Sequence, residues 1–179
     1  MRPFATQIDR RPWGRQALIA LVRYRHRGWN GDHAHPVQDA LRALDDLSAL
    51  APGVPVVLIG HSMGGRAALA VAGRDAVRGV VALAPWCPRG EPVAHLRGRA
   101  AVFLHDEADP VTSAAQTWDF ARRAAAGGAD VQCVPMPAGG HAMLRGAGRW
   151  HELAADYTGA LLAWAPATHR DAQPANRRD

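Results

Sequence analysis

Ser62 stands in the stretch Gly60-His61-Ser62-Met63-Gly64. An apolar, β-branched run, Val54-Pro55-Val56-Val57-Leu58-Ile59, precedes it, and a helix-forming run, Gly65 to Ala72, follows it. This order reads as strand, sharp turn, helix, with a serine at the turn. Glycines two before and two after the serine let the strand and helix backbones pass close together. Such a turn holds the serine in a strained conformation with its hydroxyl exposed above a sheet. An exposed hydroxyl beside a helix N-terminus is suited to acyl-transfer chemistry. The chain has 179 residues and 18 glycines, and its only other serines are Ser48 and Ser113, neither of them flanked in this way.

A serine nucleophile needs a base, and the base needs a carboxylate to orient it. Two later segments offer them. His105-Asp106-Glu107-Ala108-Asp109-Pro110-Val111-Thr112 brings three acids, and Gly139-Gly140-His141 brings a histidine behind paired glycines. Asp106 can be read as a surface turn residue, and Asp-Pro at 109–110 suits a turn. The chain has nine histidines. His33 and His35 lie near Asp32, but they crowd in sequence and no further spaced ligands accompany them, so the segment reads as a solvated loop and not a metal site. Trp29 and Trp86 lie at expected strand ends, where they either line an acyl pocket or cap the core.

The elements that must position these groups alternate along the chain. Residues 1–15 are polar and Arg-rich and read as a short helix followed by a loop. Residues 17–24 read as a buried strand, and 25–36 as a loop. Val37, Ala40, Leu41, Leu44, Leu47 and Leu50 recur at helical spacing, with Pro36 in the first turn and Pro52-Gly53 beyond the end. Further strands are predicted at 54–59, 79–83, 100–104 and 130–134. Helices are predicted from the serine turn to about Gly73, from a Ser113 cap to about Ala126, and over 148–164. Short continuous apolar strands alternating with helices imply a parallel sheet of about five strands covered on both faces, an α/β/α sandwich. Ligands of such sheets bind beyond the carboxyl ends of the strands, where all the candidate loops fall.

The length allows one domain, expected over 1–165, with a polar disordered tail at 166–179. The net charge is +5, and all 21 basic residues are arginine and scattered along the chain. This pattern favours a solvated basic face over a nucleic-acid site. Cys87 and Cys133 are too few for a disulfide framework and form no Cys-x-x-Cys pair, so free thiols in a reducing compartment are expected. The first residues lack the apolar stretch of a signal peptide, and no window approaches the roughly 20 apolar residues of a membrane span. A cytoplasmic protein that binds neither membrane nor nucleic acid is the resulting expectation.

The Gly60–Gly64 turn, the Asp109 loop and the Gly140-His141 loop together resemble the α/β-hydrolase superfamily over about residues 17–165. The likeness is greatest to small bacterial members of the dienelactone-hydrolase or esterase type, whose chain order is nucleophile, acid, base. By position, the resemblance implies Ser62 as nucleophile, Asp109 as acid and His141 as base, with the Met63 N–H as an oxyanion donor. His61 would have a supporting role. The implied reaction is hydrolysis of a small-molecule acyl substrate through an acyl-enzyme, with no metal or organic cofactor. The connection at 87–98 is too short for a lid that encloses a long acyl chain, so small esters, lactones or thioesters are expected.

The family pattern has further strands before 17–24. One of them, which lies between the 17–24 and 54–59 strands, ends in a glycine-containing loop that gives a second oxyanion N–H. Three readings follow. The sequence is a piece of a longer chain or has its start placed too far downstream; or the 17–24 strand pairs directly with 54–59, with His26-Arg27-Gly28 standing in for the loop; or the chain is an inactive relative that binds a ligand or partner. An edge left open by the missing strand would favour a homodimer.

Overall fold

The computed structural model describes residues 1–164, so the expected tail at 166–179 lies outside the described residues. The chain runs from helix α1 (Arg2–Asp9) through a long irregular segment to α2 (His35–Leu50), then β1 (Val56–His61), α3 (Met63–Val71) and β2 (Val77–Leu83). It continues with β3 (Ala100–Asp106), α4 (Ala114–Ala126), β4 (Asp130–Met136) and α5 (Ala147–Ala163). The four strands form one parallel sheet in the order β1-β2-β3-β4.

The sheet separates two apolar layers. On one face, Leu44 of α2, Ala68 and Leu69 of α3, and Phe120 and Ala124 of α4 pack on Val80, Ala82 and Phe103. On the other, Trp150, Ala154 and Leu161 of α5 and Phe4 of α1 pack on Val81, Leu83, Val102 and Leu104. Alternate residues of β2 and β3 thus serve opposite layers, as the twofold repeat of a strand requires. Burial on both faces explains why these strands carry continuous apolar runs. Ser113 begins α4 as expected, its hydroxyl accepting the Gln116 N–H at 3.3 Å.

The predicted strand at 17–24 is not one. That segment has no regular structure and, among the described residues, pairs with no strand, so the sheet described has four strands and not five. Leu18 is 62% exposed and Leu21 53%. An apolar run enters a sheet only where an edge accepts its backbone groups, and this one bonds to none of the four strands. The reading in which 17–24 pairs directly with 54–59 therefore fails. The His26 ring lies against His35 at the start of α2, with centroids 4.2 Å apart. The predicted N-terminal helix is present, and its Phe4 and Ile8 are buried.

Candidate active site

All four strands point their carboxyl ends the same way, so the segments after them converge. β1 delivers Ser62, β2 delivers Ala84-Pro85-Trp86, β3 delivers the 107–112 loop, and β4 delivers the loop that ends in His141.

The turn between β1 and α3 is built by exclusion of side chains. A Cβ on Gly60 would stand 2.2 Å from the Gly64 carbonyl oxygen, and one on Gly65 would stand 2.9 Å from Pro85 Cβ. Ser62 itself has φ 54° and ψ −120°, a left-handed conformation that costs an ordinary residue on the order of 1–3 kcal/mol. Bonds on both sides hold it there. The Ser62 N–H donates to the Leu83 carbonyl at 3.0 Å, and the Ser62 carbonyl accepts the Trp86 N–H at 3.1 Å and the Arg66 N–H at 3.1 Å. Met63 opens α3, where the first-turn N–H groups have no partner within the helix.

Ser62 Oγ lies 2.9 Å from His141 Nε2, and His141 Nδ1 lies 2.9 Å from Asp109 Oδ2. Nδ1 faces a carboxylate and so carries the proton; Nε2 is left to accept the serine hydroxyl. The Asp109 side chain is fully buried. Its other oxygen accepts the Val111 N–H at 2.7 Å and the Thr112 N–H at 3.1 Å, and the Thr112 hydroxyl lies 2.9 Å from Oδ2. Burial works against the charge, but these N–H and hydroxyl donors and His141 outweigh it and lower the pKa to about 2. An Asp109 carboxylate that stays ionised well below neutral pH is therefore set behind the His141 imidazole, whose Nε2 faces the Ser62 hydroxyl.

The competing acids have other tasks. Glu107 is exposed. Asp106 is no surface turn residue: it is buried, and its carboxylate accepts the Gly140 N–H at 2.8 Å and the Ala108 N–H at 3.0 Å. It ties the loop before His141 to the end of β3. His61 turns away from the serine and donates from Nε2 to the His141 carbonyl at 2.8 Å; burial lowers its basicity, which keeps it a neutral donor.

Trp29 and Trp86 meet edge to face at 6.0 Å beside the serine turn. The Arg66 guanidinium lies 3.6 Å from the Trp29 ring centre and 4.5 Å from that of Trp86, and it is paired with Glu91 at 2.6 Å. The two tryptophans thus form a wall stiffened by a cation. Residues that the sequence reading passed over also adjoin the site. The Tyr24 hydroxyl would stand 3.1 Å from a Cβ on Gly64. His105 and Thr112 lie against Asp109; Thr112 follows Asp109 by three residues, the spacing at which a turn's hydroxyl reaches back to a carboxylate. His33 and His35 stack on each other at 5.4 Å, and among the described residues no group of three His, Cys, Asp or Glu side chains is placed to hold a metal.

Comparison with known proteins agrees with this architecture. The α/β hydrolase family matches residues 4–178. A protein of unknown function from Agrobacterium tumefaciens, described as an α/β hydrolase, superposes with a TM-score of 0.69 at 17% identity, over 84% of this chain and 73% of that one. An α/β serine hydrolase homologue from Coxiella burnetii gives a TM-score of 0.66 at 16% identity, over 87% and 76%. The carboxylesterase of Bacillus cereus gives 0.58 at 20% identity, over 77% and 68%. No curated protein sequence matches the chain. With four parallel strands between helical layers and a strained serine turn at the carboxyl end of β1, the chain belongs to the α/β hydrolase family.

Proposed function

We propose that the protein is a serine hydrolase that cleaves small carboxylic esters, lactones or thioesters through an acyl-enzyme. The observation that carries this reading is the continuous relay Ser62–His141–Asp109, with both contacts at 2.9 Å. His141 takes the Ser62 proton from its Nε2 side as Oγ attacks the carbonyl carbon. Asp109 stabilises the imidazolium that forms. His141 then gives the proton to the leaving oxygen or sulfur, and water repeats the sequence on the acyl-enzyme. The Met63 N–H receives the developing oxyanion.

A fluorophosphonate probe tests the reading directly. The folded protein is expected to be labelled at Ser62, and Ser62→Ala to abolish the label. A folded chain that takes no label would instead favour a non-catalytic binding protein of this fold.

The substrate size follows from the connection between β2 and β3. It holds only one short helical turn, Ala94–Leu96, and offers no lid to enclose a long chain. Acetate and butyrate esters are expected to turn over faster than esters of ten or more carbons. The reverse order in a p-nitrophenyl ester series would contradict this. Among the described residues no helix is long and apolar enough to cross a membrane, in keeping with the cytoplasmic setting we propose.

A further inference from the structure

His105 is an anomaly of β3. The strand is buried along its whole length and begins Ala-Ala-Val-Phe-Leu, yet its next residue is a histidine with no exposed surface. A Leu or Phe would fill the volume without the cost of burying two polar nitrogens. Both nitrogens are used. Nδ1 lies 2.9 Å from Thr117 Oγ1 on α4. Nε2 lies 3.2 Å from the Thr112 carbonyl and 3.3 Å from Asp109 Oδ2, the oxygen that receives the His141 proton donor.

These partners set the tautomer. A carbonyl and a carboxylate only accept, so Nε2 carries the proton and donates it to the Thr112 carbonyl, with the Asp109 carboxylate beside it. Nδ1 then accepts the Thr117 hydroxyl. Burial lowers the basicity of the ring against the pull of Asp109, which keeps it a neutral donor. We infer that His105 is a positioning residue: its buried N–H holds the Thr112 carbonyl and lies against Asp109 Oδ2, and so fixes the 109–112 turn that aims Asp109 at His141. The inference rests on the serine-hydrolase reading for its effect on rate, but its geometry stands apart from turnover. Asp109 also has backbone donors, but both of those serve Oδ1. Among the described residues, the hydrogen-bond donors on Oδ2 are His141 and the Thr112 hydroxyl, with the His105 Nε2 against it at 3.3 Å. The Thr112 hydroxyl has a competing acceptor, the Ala84 carbonyl at 3.2 Å, so the bond from His105 to the Thr112 carbonyl is the buried restraint on the turn that carries Asp109.

The test compares His105→Phe with His105→Gln, whose side-chain amide reaches about as far as Nε2 and can still donate. In His105→Phe, kcat on a short ester is expected to fall about 10- to 100-fold with KM little changed, the scale of a misplaced catalytic group. The His141 Nδ1–H proton resonance is expected to move upfield or vanish by exchange with water. His105→Gln should recover most of both. A folded His105→Phe with unchanged kcat and an unchanged resonance overturns the inference, and so does a Gln variant no better than Phe. If His105→Phe does not fold, His105→Asn decides, because its shorter amide can still meet Thr117 but does not reach the position of Nε2: a weakened resonance supports the role, an unchanged one overturns it. Absence of fluorophosphonate labelling in the wild type would remove the hydrolase reading alone, since the resonance needs no turnover.

Discussion

Asp109→Asn is expected to lower kcat on a short ester by about 10⁴-fold while the chain remains folded. The argument is one of donors and acceptors. The carboxylate accepts on both oxygens: Val111 and Thr112 N–H groups on Oδ1, and the His141 ring and Thr112 hydroxyl on Oδ2. An asparagine of the same shape has one oxygen and one NH₂. If the NH₂ faces His141, two donors meet, and the imidazole must turn its unprotonated nitrogen to the amide. Its Nε2 then carries a proton toward Ser62 and cannot take another. If the amide flips, the NH₂ meets the Val111 and Thr112 N–H groups instead, and the turn loosens. The first outcome leaves Ser62 without a base, and the second keeps the base but on a turn that no longer holds it in place. Steady-state kinetics beside a thermal melt check the claim, and a loss of less than tenfold in a folded variant would contradict it.

The same substitution changes how stability depends on pH. The Asp109 pKa in the folded chain is lowered to about 2 from an ordinary 3.8. A carboxylate with a depressed folded pKa stabilises the fold above its unfolded pKa, and that contribution fades as pH falls toward the folded value. Across this interval the contribution is about 2 kcal/mol. In denaturant titrations the gap between wild type and Asp109→Asn should therefore be full at pH 6 and narrow from about pH 4 to pH 2.

The site was more legible than the frame around it, for a physical reason. Ser62 and His141 sit among glycines that only sharp turns require, and the order of Ser62, Asp109 and His141 along the chain is visible without coordinates. The end of β3 was harder to read. The apolar run stops at Leu104, yet the ladder with β4 continues through His105↔Pro135 and Asp106↔Met136. Polar residues at a strand end look like loop, so His105 and Asp106, which contact the loops of Asp109 and His141, were read as part of one. The error at 17–24 has the opposite origin. Ala-Leu-Ile-Ala-Leu-Val carries every local mark of a buried strand, but pairing is decided by a partner edge, and composition does not describe edges. The segment ends instead at Tyr24, whose hydroxyl rests against Gly64, and at Arg25, whose guanidinium and N–H are both held by Asp39 at 2.7 and 3.0 Å. Such contacts across the fold leave no periodic trace.

Gly60→Ala is expected to lower stability by about 3 kcal/mol or more and to remove fluorophosphonate labelling. One methyl group would stand 2.2 Å from the Gly64 oxygen, 2.5 Å from the Gly64 carbon and 2.7 Å from the Gly65 Cα. All three are backbone atoms of the first turn of α3, so no rotamer change relieves the contact. Overpacking a core with a flexible neighbour costs about 1–3 kcal/mol; here helix and strand must separate, and Ser62 with them. For a domain of this size, 3 kcal/mol corresponds to a fall in Tm of about 6–12 °C. Gly148→Ala is the matched control. It adds the same methyl group in α5 with nothing within 4 Å, and exchanging glycine for alanine in a helix is favourable by up to about 1 kcal/mol. The two variants differ only in where the methyl group lands. A Gly60→Ala protein that melts with the wild type and still takes the probe would mean that the close passage of β1 and α3 is not what holds Ser62 above the sheet.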